Sequence, residues 1–177
     1  MVSRKNLKNS HEEAVLRHFK AYLESKGVTL QVLERPDPPE AIVEIDGEKT
    51  WIEITDAYLD KAHAISLTTS ASDNVKNIPD IRRRILEPDG TFSSVLHSVI
   101  EVKYGKKSML AIAATQGPGI LLVGIFTPFT TAEAVAHDEA VTVVELASRM
   151  PTKVFKTIYA YDGTGQRRFH VLYHHEA

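Results

Sequence analysis

Glu40 and Glu53 acquire a relation through the turn between them. Asp46-Gly47 separates two β-rich stretches, residues 41–45 and 48–55. Asp-Gly in that setting signals a two-residue hairpin, because a type I′ turn needs positive φ twice. With that turn, Ile45 faces Glu48, Glu44 faces Lys49, Ile42 faces Trp51 and Glu40 faces Glu53. Directly opposed residues share a sheet face. The opposite face then carries Ala41, Val43, Ile45, Ile52 and Ile54, an apolar set suited to a core, so the glutamates are expected on the more polar face. Opposed like charges destabilise a sheet unless something binds between them. A hard divalent cation such as Mg²⁺ or Mn²⁺ would do so, since it prefers oxygen ligands and needs only one or two carboxylates plus water. The alternative is a solvated edge with two ordinary surface glutamates.

A third carboxylate and a cation join this pair from helices. Glu12 precedes Val15, Leu16 and Phe19 by three, four and seven residues and so points with the apolar stripe; it also suits the positive end of a helix dipole. Lys103 follows Leu96 and Val99 by seven and four residues, on the core-facing stripe of its helix. Lys107 extends that stripe unless Gly105 ends the helix. Lysines at helix ends also snorkel and answer the C-terminal dipole, in which case Lys103 would contribute little to the fold.

Other chemistries lack their residues. Cysteine is absent, which removes disulfides, thiolate zinc sites and cysteine nucleophiles. Of the eight histidines, His174 and His175 read as a strand end, and no Gly-x-Ser-x-Gly elbow is present. Gly117-Pro118-Gly119 precedes a strand pattern rather than a helix, so it is not a phosphate loop. Arg82, Arg83 and Arg84 with Lys76 form either an exposed helix face or a contact for a phosphate backbone.

The elements that must position these groups follow from periodicity. Ser10 and Glu13 read as a capping box opening a helix over 11–26, stopped by Gly27. Short strands follow over 28–33, 41–45 and 48–55, the first two separated by a proline-rich break at 35–39. The signal weakens over 60–89, where 68–77 reads as loop and 81–86 as a short helix. Phe92, Val95, Leu96, Val99 and Ile100 mark a second long helix ending near Gly105. The apolar run 119–126 suits a strand buried on both faces. Thr130 and Glu133 open a helix to about Met150, and 153–161 with 167–174 form a closing hairpin around Asp162-Gly163-Thr164-Gly165. The order is α-β-β-β-α-β-α-β-β, a mixed α/β sheet with helices packed on it.

The whole-chain quantities bound the setting. At 177 residues a single domain is expected. The apolar share of 43% and charged share of 25% are those of a globular protein. A net charge of −2 excludes a general cationic coat while leaving room for a local basic patch. No apolar run reaches the ~18 residues of a membrane helix, and the N-terminus lacks a signal-peptide core. A soluble, cytoplasmic protein without membrane partners is expected, with its oligomeric state left open.

From Glu34 to Glu40 and from Trp51 to Thr55, the chain resembles the PD-(D/E)XK nuclease superfamily. The shared features are a helix-one glutamate, a Pro-acid pair opening a strand, a hairpin, and an acid-x-acid-like second strand, over about residues 10 to 126. The resemblance implies a restriction-endonuclease-like αβββαβ core with an added helix and hairpin. It also implies Mg²⁺ or Mn²⁺ as cofactor and DNA or RNA as substrate. Glu40 and Glu53 would hold the metal, Glu12 would orient a metal-bound water, and Lys103 would supply positive charge. Two acids compete for the strand position, Asp37 after Pro36 and Glu40 after Pro39; the hairpin register favours Glu40. The family lysine two residues after the strand glutamate is Thr55 here. A catalytically silent nuclease-like module that binds nucleic acid or protein is therefore the alternative.

Overall fold

The computed structural model describes residues 4–59 and 88–175. Among these, α1 (Arg4–Ser25), β1 (Leu30–Glu34), β2 (Ala41–Ile45) and β3 (Glu48–Tyr58) come first. They are followed by α2 (Pro88–Gly105), α3 (Lys107–Gln116), β4 (Gly119–Phe126), α4 (Ala132–Arg149), β5 (Phe155–Asp162) and β6 (Phe169–His174). The six strands form one mixed sheet in sequential order. β1-β2-β3 is an antiparallel meander, β3-β4-β5 is parallel, and β6 returns antiparallel on β5.

The hairpin register is the one the Asp-Gly turn dictates: Ile45 pairs with Glu48 and Ala41 with Ile52. Both turn residues have positive φ, 47° at Asp46 and 84° at Gly47. Asp46 also accepts hydrogen bonds from the Thr29 amide and hydroxyl, tying the turn to the end of the α1–β1 connection. β4 is flanked by parallel strands on both sides and is buried along seven of its eight residues, which accounts for its unbroken apolar run.

Helices cover both faces. Val15, Leu16, Phe19 and Leu23 of α1 pack on Ile52, Ile54, Ile120, Leu122 and Phe169. Leu96, Ile100, Met109 and Val143, from the other three helices, pack on Trp51, Leu121, Val123 and Ile158. The Trp51 face is thus the larger core and not the more polar face: α2 and α3 close over it, and Trp51 is fully buried. Trp51 donates its indole N–H to the Gly117 carbonyl at 2.8 Å. Its ring leaves no room for a side chain at Gly119, where a Cβ would lie 2.3 Å from it.

Several boundaries differ from the pattern reading. α1 begins at Arg4, so Ser10 and Glu13 are mid-helix and form no capping box. The helix does end in a Schellman arrangement, with Gly27 at φ 78° and the Val28 amide bonded to Leu23 O at 3.0 Å. The cap of α4 is Thr131 rather than Thr130; its hydroxyl accepts from the Ala134 amide. Helix α3, held by buried Met109 and Ala113, is absent from the pattern reading. Among the described residues, no helix is long and apolar enough to cross a membrane. The segments 68–77 and 81–86, with Lys76 and the three arginines, lie outside the described residues.

Candidate functional site

β3 outlasts its antiparallel partner. The ladder with β2 stops at Ala41–Ile52, while β3 continues to Tyr58 against β4 alone. Glu53 is the first residue past that stop and is 1% exposed. A buried carboxylate is costly unless paired, and the pairing comes from α2. Leu96 and Ile100 fix that helix on the sheet, and Lys103, on the same stripe, reaches Glu53 Oε1 at 2.5 Å. The same ammonium donates to Ile54 O at 3.3 Å. Just past the end of α2, Lys106 lies 3.6 Å from the same carboxylate oxygen. The other oxygen, Glu53 Oε2, is buried without a hydrogen-bond partner.

The second half of the site comes from the N-terminal turns of α1 and the proline-rich entry to β2. Lys8 and Glu12 sit at i,i+4 and pair at 3.1 Å. The Lys8 ammonium also lies 3.5 Å from Glu40 and 3.5 Å from Asp37. Arg35 approaches Glu12 at 3.9 Å and donates from Nε to Glu40 O at 3.5 Å. Asn9, Glu12, Arg35, Asp37 and Glu40 enclose a cleft of about 320 Å³.

Electrostatics sets the protonation of this cleft. Burial pushes the Glu40 carboxyl up to about 7, helped by a hydrogen bond to Glu12 and by the charges of Glu12 and Glu53, with Lys8 opposing. Glu40 therefore keeps its proton up to near neutrality, with Glu12 as its hydrogen-bond partner. For Lys8, partial burial works against the charged form. The hydrogen bond to Glu12 and the surrounding carboxylates outweigh it and raise the ammonium above its ordinary value.

Glu12 and Glu40 meet across the cleft and Glu53 meets Lys103, the two pairs being linked by the Glu53 charge acting on Glu40. Glu12 is buried with the apolar stripe. Glu40 sits one residue before the first β2 pair and feels the Glu53 charge. Asp37 is largely exposed at the cleft mouth. Lys107 begins α3 rather than extending α2, and Lys106 takes the position near Glu53. The expectation that Lys103 contributes little to the fold is corrected: its side chain is 15% exposed and pairs with a buried acid. Lys8, Lys106 and Arg35 were missed. Lys8 had a local signal, its i,i+4 spacing to Glu12; the other two carried none.

The donor set is all carboxylate oxygen, the chemistry a hard cation prefers. Among the described residues, no three His, Cys, Asp or Glu side chains stand together as a ready metal cage; lysines lie against the carboxylates. Mg²⁺ does not require such a cage, since one or two carboxylates and water suffice, and Glu53 Oε2 is a free acceptor within the site. Compared with family models, curated proteins and solved structures, the chain matches none.

Proposed function

We propose that this chain is a Mg²⁺- or Mn²⁺-dependent phosphodiesterase acting on DNA or RNA in the cytoplasm, on a restriction-endonuclease-like core. The observation that carries the reading is Glu53: a buried carboxylate with one oxygen on Lys103 and the other unpartnered. Glu53 and Glu40 would hold the cation. When bound, such an ion activates water and neutralises charge on a phosphoryl group.

The chain's own residues do the rest. Lys103, seated on Glu53, supplies the cation that Thr55 cannot supply from β3. Glu40 must give up its proton to serve as a ligand, so cation binding strengthens as pH rises through about 7. Glu12, the hydrogen-bond partner of Glu40, would stand as an acceptor for a water in the cleft. Lys8 and Arg35 balance the carboxylates until substrate phosphate and cation enter.

The test is cleavage of linear and supercoiled DNA and of RNA with Mg²⁺, with Mn²⁺ and with chelator. Wild type should cut only with a cation, and Glu53→Gln should abolish cutting. Nucleic acid that is bound but never cut under either cation would overturn the enzyme reading. It would leave the silent module, which Thr55 at the lysine position favours.

A further inference from the structure

A second concave region lies away from the carboxylates, between α1 and the β5–β6 hairpin. It is an open groove of about 1010 Å³, and none of the residues lining it is acidic. His18 and Tyr22 of α1 and Lys26 just past its end form one wall. Arg167, Arg168 and His170, from the hairpin turn and the start of β6, form the other. No carboxylate among the described residues lies within ion-pairing distance of Arg167 or Arg168.

Instead, the Arg167 guanidinium faces the His18 imidazole, with Nη1 to Nδ1 at 3.3 Å. Burial lowers the His18 pKa, and the Arg167 and Arg17 charges add to that. The ring thus accepts as a neutral group and does not cancel the guanidinium charge. Arg167 Nε and His170 Nε2 are buried without partners. Buried polar atoms without partners are uncommon, and the Arg167 Nε–H, always a donor, calls for an acceptor.

We infer that this groove binds the sugar-phosphate backbone of a nucleic acid, which Arg167, Arg168 and Lys26 hold through its phosphates. The substrate class rests on the phosphodiesterase reading above; the surface itself rests on different residues. Extent favours a polymer over a single phosphate. His18 on α1 and Lys26 just past its end are eight residues apart, about 12 Å along the axis at 1.5 Å per residue. That length exceeds a single phosphate and suits consecutive phosphates of one strand. The half-buried Tyr22 ring lies on the same wall and offers a stacking surface for a base.

The test is fluorescence anisotropy of a short labelled oligonucleotide with the full chain in chelator, where nothing can be cut. Binding should weaken with salt at a log–log slope of about −2, as three neutralised phosphates on a single strand require. Arg167→Ala with Arg168→Ala should weaken it at least tenfold and flatten the slope, while Lys49→Ala, an exposed cation outside the groove, leaves it unchanged. Should the arginine pair fail to fold, Lys26→Ala with Arg168→Ala, both exposed, serves the same purpose. Unchanged affinity in either folded pair, or no binding by wild type, overturns the inference. So does inorganic phosphate competing as well per phosphate as the oligonucleotide, which would mean a site for the free anion. Binding that follows these residues without any cation-dependent cutting leaves the groove standing and removes the phosphodiesterase reading alone.

Discussion

The cleft at the N-terminal turns of α1 and the groove near its C-terminal end handle charge in opposite ways. In the cleft, Lys8, Arg35, Lys103 and Lys106 each lie near at least one carboxylate, and Glu12, Glu40 and Glu53 are almost fully buried. In the groove, no carboxylate among the described residues lies within ion-pairing distance of Arg167, Arg168 or Lys26, and none of the lining residues is acidic. A net charge of −2 averages over this separation and hides it. Coupling in the cleft is strong because burial lowers the local dielectric, whereas exposed cations in the groove are screened within about 10 Å at ordinary salt. Removing a charge should therefore disturb the fold in the cleft and only ligand affinity in the groove.

The strongest test of that contrast is Lys103→Met, which strands the buried Glu53 carboxylate with only Lys106 beside it. A loss of about 3 kcal/mol is expected by denaturant unfolding. Adding Glu53→Gln to the same chain should recover much of it, because the uncompensated charge is then gone. An unfolding midpoint unmoved by Lys103→Met would place Glu53 in contact with water.

Next comes the Glu40 proton. Glu40 is raised to about 7 from an ordinary carboxyl value, so the fold favours its protonated form. The folded chain then binds more protons than the unfolded one between about pH 4.5 and 7, and stability falls as pH rises through that window. In metal-free buffer, Glu40→Gln should flatten that dependence. It should raise stability at pH 8 by on the order of 1–3 kcal/mol and change little at pH 4. A parallel downward shift at both pH values would show that the carboxyl is needed for packing and that its titration is ordinary.

Lys8→Met should cost less than about 1 kcal/mol, since the ammonium is half exposed. Yet it should move the Glu40 titration, followed by NMR, further upward, because Lys8 is the one named influence that lowers it. Smallest of all, Arg168→Ala in the groove should change stability by under ~0.5 kcal/mol. A larger loss would mean that the groove cations are structural after all.

Much of the cleft was legible because short-range rules govern its parts. A two-residue Asp-Gly turn leaves a single register, which holds as far as the Ala41–Ile52 pair, with Glu40 and Glu53 one step beyond it. Helical spacing alone aims Glu12 and Lys103 toward the core. The six-stranded mixed sheet also follows locally, from alternating and continuous apolar runs. What escaped was decided by contacts between distant stretches. The first turns of α1 carry no apolar stripe; Lys8 ties them to Glu40 and Asp37, about thirty residues away, and the helix runs straight through a plausible cap. Helix α3 has no side-chain cap and small residues, and exists because Met109 and Ala113 are buried against neighbours.

By itself, then, the sequence determined the hairpin register, the doubly buried strand and the direction in which four chemical side chains point, since turn geometry and helical periodicity act over a few residues. Only the tertiary structure decided that those side chains share one low-dielectric site. It also decided that Lys8, Lys103 and Lys106 stand against the acids, and that among the described residues Lys26, Arg167 and Arg168 have no carboxylate within ion-pairing distance. Charge pairing across a fold depends on which surfaces meet in space, and no spacing along the chain encodes that distance.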